Sequence, residues 1–505
     1  MKRAVALILA VSMLALAACG SEAGTAATPG TAEGNTSITI GETMVVPDYD
    51  PANWYISTQS TLFSNVYSTL IDVISTDDLQ LELRPNLAES WETEEDGMVW
   101  VFHLNPDAVY SNGDKVTAEH VKTCFERNMD NPYTMSYVAM IDSIEVRDEN
   151  TVAFRLAYPW ASVPNCWYMI AIYNVDLYDA DPEGYMMNPV GSGPYTLESL
   201  EEATGNYTLK LKDEWWGDEM PTIETVNVRV IPDQSTAIIA LQSGTIDTYS
   251  VSGNNMLLIQ DDPNISTKEC ISVVPNQLLL NPNVEPLNNP LIREAISYAI
   301  DYDAIRNATC SGFVSSKDST IVFATPERDI PESVQGYTYD PDKARELIAE
   351  SGLATPIDVG EIVGGNTNGS AEMVAQYLAD VGINATITQY ETNAAVQKYM
   401  EGSFSLAITT GSGGMSAAEN LNNYYGSGQP YNFNRFSNER VDEIISEMMA
   451  TDDDTLTDEL LAEALNIVVG EYTNFNLGVR AQYIAYNSKF EMPPTYNGID
   501  LIRVR

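Results

Sequence analysis

Two histidines, five cysteines and 72 carboxylates are the residues of this 505-residue chain that could carry acid–base, nucleophilic or metal chemistry. His103 and His120 are too few for a His-rich metal site. A Ser–His–Asp nucleophile would have to use one of them, and both stand in stretches that read as structural. Acidic residues are everywhere, so counting marks no paired-carboxylate site. Gly191 and Gly193 could suggest a phosphate loop, but Pro194 and a strand-like run follow where a helix N-terminus is required. Cys124, Cys166, Cys270 and Cys310 are widely scattered with no CxxC spacing, which leaves disulfides and buried thiols equally open. The chain reads as a non-enzyme with no cofactor and no metal.

Cys19 is set apart by its neighbours. Lys2 and Arg3 precede an apolar run over residues 4–18, broken only by Ser12, that ends Leu16-Ala17-Ala18-Cys19. This is the pattern of an export signal, and it is short for a membrane span, which needs about 20 apolar residues. With the cysteine directly after Ala-Ala, it resembles a bacterial lipoprotein signal, in which the thiol is acylated and becomes the new N-terminus after cleavage. Residues 20–37 contain no large apolar side chain. They cannot bury enough surface to offset their ordering entropy, so a disordered linker is expected there. The implied location is the extracytoplasmic face of the cell membrane, lipid-anchored, at the cell surface or in a periplasm.

The formal charge of −47, from 25 basic and 72 acidic residues, argues against nucleic acid and against anionic lipid as partners, since both need basic patches. Such acidity fits solubility outside a cell. A hydrophobic content of 44% supports a large core, and length alone suggests about three domains. The elements that must position any site alternate strand and helix throughout, so the class is α/β. Strands are expected at 37–41, 98–104, 207–211, 225–230, 357–363, 385–389, 405–409, 481–487 and 501–504. Residues 141–146 and 151–156 read as a hairpin about Asp148-Glu149-Asn150. Helices are expected at 61–70, 117–129 behind a Thr117 cap, 234–242 closed by Gly244, 290–299, 340–351, 371–380, 439–449 and 457–471. There is no internal repeat.

An ordered series of short motifs then makes the chain specific. Arg84-Pro85-Asn86-Leu87-Ala88-Glu89-Ser90-Trp91 leads to Asp96-Gly97, Phe102-His103-Leu104, Asn112-Gly113-Asp114 and Thr117-Ala118-Glu119-His120-Val121. Gly191-Ser192-Gly193-Pro194-Tyr195, Trp215-Trp216-Gly217, Ser243-Gly244-Thr245-Ile246-Asp247, Tyr298-Ala299-Ile300-Asp301, Tyr339-Asp340-Pro341 and Asn438-Glu439-Arg440-Val441-Asp442 follow. Each alone is a turn, a cap or a core position. In this order, from about residue 40 to the end, they resemble the extracytoplasmic solute-binding proteins of the oligopeptide/dipeptide class, family 5, of ABC importers. His120 stands where that family usually has Asp, a change expected to affect only local capping.

The resemblance implies a two-lobed periplasmic-binding-protein-like fold (type II, cluster C-like) with an extra subdomain inserted in the first lobe. The expected division is 38–60, 188–273 and 475–505 for lobe I, 61–187 for the insertion and 274–474 for lobe II, with hinges at Pro275 and Thr473-Asn474. A small solute, first a short peptide, is held as the lobes close and is passed to a membrane permease. A sugar or other polar solute, or a peptide-sensing receptor role on the same fold, are the alternatives. Chelated nickel or haem is disfavoured by the structural settings of both histidines. Peptide-binding relatives carry an Asp for the peptide amino group in the segment that here reads Thr410-Gly411-Ser412-Gly413-Gly414-Met415; Gly414 takes its place, and Glu419 is the nearest acid. A buried ammonium without a carboxylate is costly. The expected ligand contacts are Trp54, Tyr55, Tyr249, Ser250, Asn276, Gln277, Gly411, Ser412, Gly413 and Met415, while Trp160 and Trp167 are expected in the core. A monomer is expected.

Overall fold

The computed structural model describes residues 36–505 apart from 47, 54–60, 132–133, 162, 316–317, 324, 326, 365–368, 412–415 and 496–498; for 136, 165, 166, 252, 254, 392 and 393 it describes the backbone alone. The export signal, residues 20–35 of the expected linker, and the contacts Trp54, Tyr55, Ser412, Gly413 and Met415 lie outside the described residues; the expected linker ends one residue too late, since Ser37 already pairs with Thr225 in a strand.

Two sheets organise the fold. The first has seven strands in the order Ile265–Cys270, Gln482–Asn487, Thr248–Ser252, Ser37–Glu42, Thr225–Val230, Asn206–Leu211 and Tyr195–Glu201. Its three central strands, Thr248–Ser252, Ser37–Glu42 and Thr225–Val230, are parallel. Ile38, Ile40, Val226 and Val228 alternate onto one face and are at most 1% exposed, the period-2 pattern of a half-covered sheet. The second has five strands in the order Ile383–Gln389, Ile357–Gly364, Leu406–Thr410, Pro275–Leu280 and Asn474–Val479, the first three parallel. Leu278, Ile362, Ile408 and Phe475 face one helical layer, whereas Leu279, Val363 and Ala407 face another.

Among the described residues, two chain segments join the sheets directly. Residues 271–274 carry the chain across after Ile265–Cys270, where a crossing near Pro275 is expected. The return runs through Arg480-Ala481, because Asn474–Val479 pairs with Pro275–Leu280 in the second sheet. This corrects the expected return hinge at Thr473-Asn474, and it moves residues 475–479 from the first lobe to the second. All six residues of Asn474–Val479 are buried, so the strand is a core member of the sheet it joins.

Within residues 61–187 a four-stranded antiparallel sheet and a two-stranded ribbon pack on the seven-stranded sheet through one continuous core. Phe102, Phe125, Phe154 and Trp167 form its aromatic centre, with Phe154 and Trp167 ring centroids 4.5 Å apart. Trp160 is 8% exposed and Trp167 fully buried, so these two tryptophans are core residues as expected. Helix Ala118–Met129 starts at a Thr117 capping box in which His120 Nδ1 accepts from Thr117 N. The segment 501–504 is no strand: Leu501 and Val504 are buried in this core, and Leu501 N donates to Asn65 Oδ1.

Candidate ligand-binding site

In open sheets with parallel strands, ligands sit beyond the carboxyl ends of those strands. Here the two sets of carboxyl ends are Glu42, Val230 and Ser252 in the first lobe, and Gly364, Gln389 and Thr410 in the second. Both crossings lie at these ends. Residues 271–274 lead straight into Pro275, whose carbonyl accepts from Gly411 N at the end of Leu406–Thr410. The elements therefore bring Ser250, Asn276, Gln277 and Gly411 to the edges that the crossings connect.

Ser250 is exposed on Thr248–Ser252. Tyr249, one residue earlier, points to the opposite face: it is fully buried in a core with Ala237, Leu241 and Val251, and its hydroxyl donates to Ile231 O. Its expected role as a ligand contact is corrected to a packing one, since strand alternation puts the two neighbours on opposite faces and Tyr249 takes the buried one. Asn276 Nδ2 donates to Ser370 Oγ at 3.3 Å. Gln277 is 1% exposed, and neither its amide oxygen nor its amide nitrogen has a partner. A buried amide unpaired at both ends is unusual in a folded protein.

Gly411 shows why a glycine is needed where the strand ends. A Cβ there would lie 2.1 Å from Tyr424 Oη, closer than any real contact. Tyr424 was not expected at the site, yet it is 3% exposed with an unpartnered hydroxyl. It sits on helix Ala417–Tyr425, capped by Ser416, with Glu419 in the first turn. The helix's Ala417 N–H is taken by Glu327, whose carboxyl is pushed up from its ordinary value by burial and held back in part by that hydrogen bond. Only the helix register links Tyr424 to Gly411, a signal that sequence spacing does not carry. Ser250, Asn276, Gln277, Gly411 and Tyr424 are all uncharged, so what they offer is neutral hydrogen bonding.

The other chemistry-bearing residues have structural work. His120 Nδ1 also meets Tyr110 Oη at 3.2 Å, and burial lowers its pKa against the opposing pull of Asp176, Asp114 and Glu119. His103 lies 3.6 Å from Glu92 on the surface. Cys124, Cys270 and Cys310 are buried free thiols, and burial pushes Cys124 up to about 12; the Cys166 side chain lies outside the described residues. Gly193 N donates to Val66 O, and a Cβ on Gly191 would fall 1.9 Å from that oxygen. The Gly191–Gly193 turn is therefore a close packing against helix Thr61–Val66 and no phosphate cradle. A cavity of about 310 Å³ opens elsewhere, between the insertion and the first lobe, with Trp215, Trp216, Arg84 and Arg503 among its walls. Arg84 there is paired with Asp72 and Asp500, which marks a subdomain junction whose charges satisfy one another.

Comparison with known proteins agrees with this architecture. A profile described as bacterial extracellular solute-binding proteins, family 5 middle, matches residues 82–433. The chain is 27% identical to the dipeptide-binding protein of Escherichia coli K12, over 76% of this chain and 78% of the relative. It is 25% identical to the heme-binding protein A of Haemophilus influenzae, over 88% of each. The solved periplasmic binding protein DppA of Helicobacter pylori, in complex with the peptide STSA, superposes with a TM-score of 0.70 at 24% identity, covering 92% of this chain and 96% of that one.

Proposed function

Because the chain belongs to the bacterial extracellular solute-binding proteins of family 5, which serve ABC importers, we propose that it captures short peptides between its two lobes and delivers them unchanged to a membrane permease. The lobes are taken as 38–60, 188–273 and 480–505 for the first, with 61–187 inserted, and 274–479 for the second. Closure about residues 271–274 and Arg480-Ala481 is a hinge motion that makes a filled binding protein distinguishable from an empty one. Family members are extracytoplasmic, and among the described residues no helix is long and apolar enough to cross a membrane. Acylation of Cys19 would tether the body to the membrane. Nothing in this reading requires catalysis or a second copy of the chain.

The observation that carries the solute reading is Gln277, a buried amide with both ends unpaired, two residues after Pro275, whose carbonyl accepts from Gly411 N. A peptide group offers one donor and one acceptor, the complement of a side-chain amide. The uncharged setting, together with Gly414 at the place of the family acid, puts the recognition on peptide main chain and away from the terminal ammonium. Calorimetric titration with peptides of two to eight residues, free and N-acetylated, against sugars tests this. Peptides should bind, with acetylation changing affinity by less than about threefold. Binding of sugars alone, or complete loss on acetylation, would contradict it.

A further inference from the structure

We propose that the outer face of the first lobe formed by helix Gln234–Gln242 and the 3-10 turn Gly253–Leu258 is the surface on which the importer's permease docks. Ile239 is 66% exposed, Leu257 53% and Leu258 56%. They form one patch, because Gln242, one turn after Ile239 on the same helix face, donates through Nε2 to Leu258 O. Single exposed aliphatics are ordinary, but a joined group on neighbouring elements marks an interaction site.

The charge pattern identifies the partner. Residues 234–260 contain one charged side chain, Asp247, in a chain that is 19% charged. Asp247 is 7% exposed and is paired with Lys489 and with Thr39 N, so it is not part of the patch. Carboxylates return at the edges, at Asp233 before the helix and at Asp261 and Asp262 after the turn. An apolar centre inside an acidic rim fits a partner with an apolar centre and a Lys/Arg rim. A second copy would bring the same acidic rim and another −47 charges, and an anionic bilayer would meet no basic residue in the whole stretch.

The position suits a reader of lobe closure. Gly253 follows Thr248–Ser252 at the ligand-facing end of the sheet, and a Cβ on it would stand 3.8 Å from Arg480 Cδ at the return crossing. A partner seated on Leu257 and Leu258 is therefore one turn from the joint that moves. The proposal rests on the peptide-importer reading and adds the surface that reading lacks.

The test uses the full chain with the permease–ATPase complex of the same importer in proteoliposomes. Ile239→Asp and the double variant Leu257→Asp/Leu258→Asp put like charge into the patch at exposed positions; Leu257→Gln/Leu258→Gln removes the apolar surface alone. The expected result is peptide affinity within about twofold of wild type, stimulation of ATP hydrolysis reduced at least tenfold by the Asp variants, and a smaller loss with Gln. Undiminished stimulation overturns the docking surface while leaving peptide capture intact. A wild-type dimer in sedimentation that the Asp variants dissolve, or vesicle flotation that they abolish, overturns it in favour of self-association or membrane contact. Absence of peptide binding by wild type and variants alike removes the importer reading and this surface with it.

Discussion

Gln277 is held where a hydrophobic side chain would pack better, which separates a stability argument from a binding one. An unpaired buried amide costs about 1–3 kcal/mol, and a leucine of similar volume avoids that penalty. Gln277→Leu should therefore raise the stability of the solute-free protein by about 1–3 kcal/mol in thermal or denaturant unfolding, and weaken peptide binding at least tenfold in titration. A variant both stabilised and fully active would deny Gln277 its role. His120 makes the other residue-scale prediction. Burial depresses its pKa, so below the ordinary histidine value of 6.5 the unfolded chain binds the proton more readily than the folded one. The stability contributed by the neutral, capping imidazole is thus present above about pH 6.5 and is lost as the pH falls below it. His120→Gln keeps an acceptor at the third helical position without titrating. Between pH 7.5 and 5.5 the wild type should lose more melting temperature than this variant; equal losses would contradict the assignment.

Elements whose signals are local were legible from the residues alone. The hairpin Ile141–Asp148 with Thr151–Leu156 follows from alternation about Asp148-Glu149-Asn150, and helix Glu439–Met449 from its Asn438 cap and apolar spacing. What escaped was long-range. Asn474–Val479 and Gln482–Asn487 are neighbouring strands with similar composition, yet one completes the second lobe's sheet and the other enters the first lobe's. No propensity distinguishes them, because the choice lies with their partners. Tyr249 departs from expectation for a related reason: the residues point to a strand at Ile246-Asp247 with Tyr249 after it, whereas Tyr249 lies inside strand Thr248–Ser252, its face fixed by the Ala237 and Leu241 helix packed behind it. A contact between the insertion and the second lobe was also invisible in the sequence. Ala161 N donates to Met449 O at 2.8 Å, capping the end of helix Glu439–Met449 from across the molecule. Backbones this close suit a disulfide, which needs Cα atoms about 4.4–6.8 Å apart. Oxidised Ala161→Cys/Met449→Cys, formed with solute bound, should slow release at least a hundredfold in stopped-flow exchange and recover on reduction. Exchange at the wild-type rate would show that the lobes do not part at this contact.

At the scale of the whole molecule, two sheets joined by two short crossings can move as bodies, whereas the insertion shares the first lobe's core and must travel with it. The family was legible because its motifs are the turns, caps and core positions that any sequence must keep to build this frame. The ligand was not, since the proposed contacts, Ser250, Gln277 and Tyr424, lie far apart in the chain, and neutral hydrogen bonding leaves them without a charge signature. Native mass spectrometry of the purified chain, followed by release and identification of whatever it carries, tests capture most directly. A bound mass equal to one short peptide, released chemically intact, is the predicted result. A chain that carries and takes up no peptide, or that returns one cleaved, would contradict the account.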